Sequence, residues 1–241
     1  MKLTVPMAVI AMCMVGAQVA SAQPFRLGPP TGQGPVEVEA SFQLLDINDI
    51  DDEAETFEFS GILVLRWRDE RRAFNPAVAG VDEKVFQGDY QFNEVATGWF
   101  PQVVLINESG LFEKHGVILR VGPDGTSTLV QTVNATAEAD MELRRYPYDR
   151  QQLRAAFGVL GATDSEVVLR ARPAEFSRLD HELRTPQWDI TEVRTSTVES
   201  RVIYAGSERS ASAFVVSADV ERESFFVVRL VVIPLVLIVR A

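Results

Sequence analysis

The sequence predicts an all-β protein, an immunoglobulin-like antiparallel β-sandwich of about ten strands followed by a truncated transmembrane helix. Three observations predict it. Short runs in which apolar and polar residues alternate at period two recur from residue 36 to residue 220, with turn residues between them. No stretch before residue 225 carries the spacing of a long amphipathic helix. Phe225 to Val239 is then almost wholly apolar, interrupted only by Arg229 and with Pro234 in its middle.

The elements follow in chain order. Lys2, the apolar run Val5 to Val15 and the small residues Ala20-Ser21-Ala22 read as a signal peptide over residues 1–22, which implies export. Residues 23 to 35 are rich in Pro and Gly and read as an irregular lead-in to a domain over 23–224. Val36, Val38, Ala40, Phe42 and Leu44 share one face of a first strand, and an acidic loop is expected over Asp46 to Glu55. Thr56 to Trp67 repeats the pattern with Phe57, Phe59, Leu63 and Leu65. Short turns of helix are expected between Arg71 and Gln87. Further strands are expected over Gln102 to Ile106, Val117 to Val121, Thr128 to Val133, Gln151 to Val159 and Glu166 to Leu169. The last are Trp188 to Val193, Arg201 to Tyr204 and Ala213 to Val220, and Gly122-Pro123-Asp124-Gly125 reads as a hairpin turn. At 1.5 Å per residue the apolar run Phe225 to Val239, within 225–241, falls short of a roughly 30 Å hydrocarbon core. It reads as the start of a membrane helix in which Arg229 snorkels to the interface, or else as a buried terminal strand.

Composition removes several function classes. The formal net charge is −11, which disfavours nucleic acid and anionic lipid as partners. The single cysteine, Cys13, falls in the expected signal peptide, so thiol catalysis and cysteine-ligated metal sites are not expected. The sequence has no H-E-x-x-H, no G-x-S-x-G and no phosphate-binding glycine loop, so no catalytic residue, metal or cofactor is predicted. The acidic residues Asp46, Asp49, Asp51, Asp52 and Glu53 do not follow EF-hand spacing.

Arg145-Tyr146-Pro147-Tyr148-Asp149, followed by Gln151 and by Phe157-Gly158, resembles the Cys-loop tip of pentameric ligand-gated ion channels. Ala139 and Leu153 stand where that family's animal members place a disulfide, as in its prokaryotic branch. Trp67-Arg68-Asp69 resembles the W-x-D that ends the second strand. Trp99-Phe100-Pro101 with Asn107 resembles the W-x-P segment before binding loop A. Arg222 resembles the arginine ahead of the first membrane helix, and Pro234 that helix's proline. The resemblance spans roughly residues 36 to 239, essentially the whole mature chain.

It implies the extracytoplasmic ligand-binding and gating domain of a homopentamer at the cell membrane, held there through its C-terminal helix. Asp149 and Arg222 would pair at the base of the domain, with Asp52 joining them and the Tyr146, Pro147 and Tyr148 tip touching the membrane part. Trp67, Asp69, Trp99 and Pro101 would be structural. Matching positions put Ile62, Ile106, Asn107, Leu160, Tyr204 and Phe214 around the ligand cleft between subunits. Aliphatic residues at three expected cage walls argue against a quaternary ammonium ligand. A small apolar or weakly polar molecule and protons remain as stimuli, the latter with His115 and His181 as titrating candidates. The alternative is a stand-alone periplasmic β-sandwich that binds a small molecule without channel activity.

Overall fold

The computed structural model of the chain describes residues 28–30, 32, 34–88, 98–172, 184–185, 187–204, 207–227, 229 and 233–239. The expected signal peptide and His181 lie outside them. A six-stranded sheet has the order β3-β5-β6-β2-β1-β8, and a five-stranded sheet the order β4-β7-β11-β10-β9. The first is built from β1 (Val36–Asp51), β2 (Thr56–Arg68), β3 (Lys84–Gly88), β5 (Glu108–Val121), β6 (Thr126–Glu138) and β8 (Val167–Ala171). The second is built from β4 (Val103–Leu105), β7 (Arg150–Val159), β9 (Arg184–Thr185), β10 (Trp188–Tyr204) and β11 (Ser207–Arg222). Pairing is antiparallel except between β1 and β8, which run parallel.

The alternating apolar residues meet between the sheets. Phe42 and Phe59 of the six-stranded sheet pack on Phe157 of the five-stranded one, at ring-centroid distances of 5.5 and 6.4 Å. Phe157 in turn stacks on Phe214 at 6.2 Å. Burying side chains of this size stabilises by about 1.5–3 kcal/mol each. Ala139 and Leu153 belong to the same core and fill their positions with apolar volume.

Several boundaries differ from expectation. The stretch expected as an acidic loop is mostly strand, because β1 continues to Asp51. Register shifts between Leu44 and Asp46 and between Ile47 and Asp49 break the period of two. Leu44, Ile47 and Ile50, three residues apart, thereby still reach the core while the acidic residues face out. The region Arg71 to Gln87 holds a 3₁₀ turn at Glu70–Arg72, a short helix α1 (Pro76–Ala79) and then strand β3, which pairs with β5. β5 itself starts at Glu108, its polar first half being held through two register shifts against β6. The two late runs merge into one strand, β10, whose ladder with β11 runs from Trp188 opposite Arg222 to Tyr204 opposite Ser207. Its middle, Thr191 to Glu199, is largely exposed, so backbone hydrogen bonds and not apolar spacing define it.

The turn Gly122 to Gly125 joins β5 to β6 as expected. Asp124 accepts from the backbone N–H and hydroxyl of Thr126 at 3.1 and 2.8 Å. Gly125 has φ of 84°, and a Cβ there would stand 2.3 Å from the carbonyl oxygen of Asp69. Only glycine fits that conformation and that approach. At the C-terminus the described residues form two short helices, α2 (Ser224–Val227) and α3 (Ile233–Val239). Among the described residues no helix is long and apolar enough to cross a membrane.

Candidate functional site

The base of the sandwich is organised by two local structures that converge on Arg222. In the β1–β2 turn, Asp51 Oδ1 accepts from the N–H groups of Glu53 and Ala54, both at 2.9 Å. The next side chain, Asp52, is thereby turned toward the end of β11. In the segment before β7, Tyr148 N–H donates to the Arg145 carbonyl at 2.7 Å, across a cis Tyr146–Pro147 bond. Gln151 ties that segment together: its amide donates to the Glu142 carbonyl at 3.0 Å and accepts from the Glu142 N–H at 3.0 Å. The same amide donates to Asp149 Oδ2 at 2.8 Å.

Arg222 closes the arrangement. Its Nε donates to Asp149 Oδ1 at 2.8 Å and its Nη2 to Asp149 Oδ2 at 3.2 Å. Nη2 also donates to Asp52 Oδ2 at 2.7 Å. The Arg222 and Asp149 side chains are 2% and 1% exposed, and that of Asp52 is 31% exposed. Burial pushes the Asp149 carboxyl up, but hydrogen bonds from Arg222 and Gln151 outweigh it and hold the group below the usual carboxylate range. Burial likewise pulls Arg222 down, and its two carboxylate partners more than restore it. The guanidinium carbon lies over the Trp188 ring at 4.0 Å from its centroid, with the Tyr146 ring centroid 5.0 Å away. One cation thus holds two carboxylates, one from the β1–β2 turn and one from the loop that leads into β7. The tip beside it is exposed, Tyr146 and Tyr148 being 52% and 68% accessible.

The residues expected around a ligand cleft divide. Ile106 and Leu160 flank opposite ends of the short β4–β7 ladder, Ile106 bonded to Ala156 and Leu160 to Gln102, and both are exposed, at 44% and 62%. Ile62 lies half-buried in β2, on the other sheet, so a single chain does not bring it to them. Asn107 braces the sandwich: its amide donates to the carbonyls of Glu138 and Arg154 at 2.9 and 2.7 Å and accepts from the Ala156 N–H at 3.0 Å. All its polar arms are engaged by backbone. Phe214 is fully buried on Phe157, so within the chain it presents no surface to a cleft. The Tyr204 side chain lies outside the described residues. His115 is exposed beside Glu113, at 3.0 Å.

The remaining expected residues are structural in placement. Trp67 is buried and meets Trp99 edge-on at 6.0 Å. Asp69 is buried, with Arg71 Nε on Oδ1 and Nη2 on Oδ2, both at 2.8 Å. Pro101 is buried ahead of β4, and Pro234 is exposed in α3. Trp188 entered the sequence reading only as the first residue of a strand. Counting outward from the hairpin tip would have placed it opposite Arg222, but that needs the tip's position and the bulge after Ile190.

Residues 24–223 match the family model described as the neurotransmitter-gated ion-channel ligand binding domain. The chain belongs to that family. The ligand-binding domain is 27% identical over 210 residues to the proton-gated ion channel of Gloeobacter violaceus, covering 87% of this chain and 56% of that protein. It is 29% identical over 177 residues to the gamma-aminobutyric acid receptor subunit beta-4 of Gallus gallus, covering 70% and 34%. Over 201 residues it is 24% identical to the gamma-aminobutyric acid receptor subunit beta-like of Drosophila melanogaster, covering 78% and 40%. The chain therefore spans about half the length of the first relative and about a third of the second. As a binding domain of a channel family it is not an enzyme.

Proposed function

We propose that residues 23–224 are the extracytoplasmic ligand-binding and gating domain of a homopentameric ligand-gated ion channel. In this reading the chain is exported by residues 1–22 and held at the cell membrane through residues 225–241. The observation that carries it is the sharing of Arg222 between Asp149 and Asp52, immediately ahead of the apolar C-terminal run. A stimulus acting between subunits shifts a closed–open equilibrium by favouring one state. The cluster passes the shift on, because the β1–β2 turn, the Tyr146 to Asp149 tip and the end of β11 move together while one buried guanidinium binds them.

Ile106 and Leu160 of one subunit facing Ile62 of its neighbour would give the cleft aliphatic walls, suited to a small apolar or weakly polar molecule. Protons are the other stimulus, and one relative is named for them. Light scattering on the exported chain in detergent tests the assembly. A five-fold mass supports the reading. A monomer that binds a small molecule and stays monomeric in membranes favours a stand-alone binding protein instead.

A further inference from the structure

Three in-plane N–H bonds to the two carboxylates hold the edge of the Arg222 guanidinium and leave its two faces without hydrogen bonds. A guanidinium donates only in its plane, so its faces must be covered by something that tolerates charge without a hydrogen bond. Here the covering group is Trp188, buried, with its ring 4.0 Å from the guanidinium carbon. The two residues are directly paired across β10 and β11 and share the inward face. Tyr146 covers the cation less closely, at 5.0 Å, from an exposed position.

β10 has a further feature just beyond this pair. The ladder with β11 is regular from Glu192 to Tyr204, and the register shifts between Ile190 and Glu192. Thr191, the extra residue, donates its hydroxyl to the Asp219 carbonyl at 3.0 Å. A bulge lets a strand bend locally, so the hairpin beyond it can tilt against a fixed base. Trp188 is the first residue of β10 on the base side of that bend.

We propose that Trp188 is a positioning residue for gating: it packs against the Arg222 guanidinium and keeps it from tilting out of its bonds to Asp149 and Asp52. Movement of the β10–β11 hairpin about the bulge reaches the cluster as a rotation or withdrawal of the indole. Nη2, which serves both carboxylates, then keeps one and releases the other. This rests on the channel reading given above.

The test has two arms with separate failures. In the 241-residue chain, a double-mutant cycle in urea combines Trp188→Leu with Arg222→Lys, which keeps the charge and loses the plane. A ring-on-guanidinium stack gives a coupling of about tenfold in the unfolding constant. Coupling below about twofold overturns the stack. In the second arm, residues 24–223 are joined to the membrane part of the Gloeobacter channel, and Trp188→Leu, Trp188→Met and Trp188→Phe are recorded. Leu and Met shift the half-maximal proton concentration by about fivefold or more at normal surface expression, and Phe, which keeps a ring, stays within about twofold. Equal midpoints for all three overturn the positioning role. If the parent chimera folds and reaches the surface but carries no acid-evoked current, protons are not this domain's stimulus, and the cycle alone decides whether Trp188 positions Arg222.

Discussion

Replacing Arg222 by Gln isolates what the buried cluster contributes to the domain. In the parent, the Asp149 carboxylate is 1% exposed and its charge is met by a two-pronged guanidinium and by Gln151. The substitution leaves Gln151 alone to satisfy it. Removing one partner of a buried ion pair costs about 3–5 kcal/mol, because the remaining charge stays out of water uncompensated. Asp52 adds little, since its 31% exposed carboxylate can be rehydrated. The pH dependence carries the sign. In the parent Asp149 lies below its ordinary 3.8, so its contribution is present above that value and fades as pH falls through the lowered one. In Arg222→Gln, burial acts without the cation and lifts Asp149 above 3.8, so the variant regains stability as it protonates on acidification. The gap between the two proteins is therefore widest near pH 7 and narrows toward pH 4. With a urea dependence of about 2–3 kcal/mol per molar, the midpoint at pH 7 drops by about 1–2 M. A drop below about 0.3 M at pH 7, or an equal gap at pH 4, would refute the buried-pair reasoning.

Other predictions follow from single positions. Gly125→Ala forces a Cβ to 2.3 Å from the Asp69 carbonyl at a φ of 84° and destabilises by about 2–4 kcal/mol, seen as a lowered melting temperature; an unchanged melt contradicts the close approach. Lys114, whose ammonium donates to the Val103 carbonyl and lies 4.8 Å from the Phe112 ring, is pushed down to about 8 by burial, against an opposing pull from Glu108. Because the unfolded chain holds that proton up to about 10.5, the parent gains stability between pH 8 and 10.5, and Lys114→Met loses this rise. Parallel denaturation profiles for parent and variant across that range would contradict it.

The period-two alternation located most strands because each sheet buries one face on the other, so Phe42, Phe59 and Phe157 announce their own sides. It lost the end of β1, where two register shifts respace Leu44, Ile47 and Ile50, and it lost the middle of β10, which has little core to face. The family resemblance already implied that Asp149 and Arg222 pair at the base with Asp52 beside them. Their meeting at 2.7 and 2.8 Å depends on Asp51 folding the turn and Gln151 holding the loop, which local sequence does not reveal. The cleft residues were the least legible. Matching positions put Asn107 and Phe214 there, whereas side-chain direction makes one a brace and the other core. Trp188 was hidden because its role comes from a pairing across the hairpin.

The central claim is that the Arg222 cluster carries a stimulus from the binding domain to a pore. Current recording from residues 24–223 joined to the membrane part of the Gloeobacter channel tests it most directly, with Asp149→Asn compared against the parent. With protons as the stimulus, the account predicts acid-evoked current in the parent and none in Asp149→Asn at equal surface expression and equal pentamer yield. Parent-like currents from Asp149→Asn would contradict it.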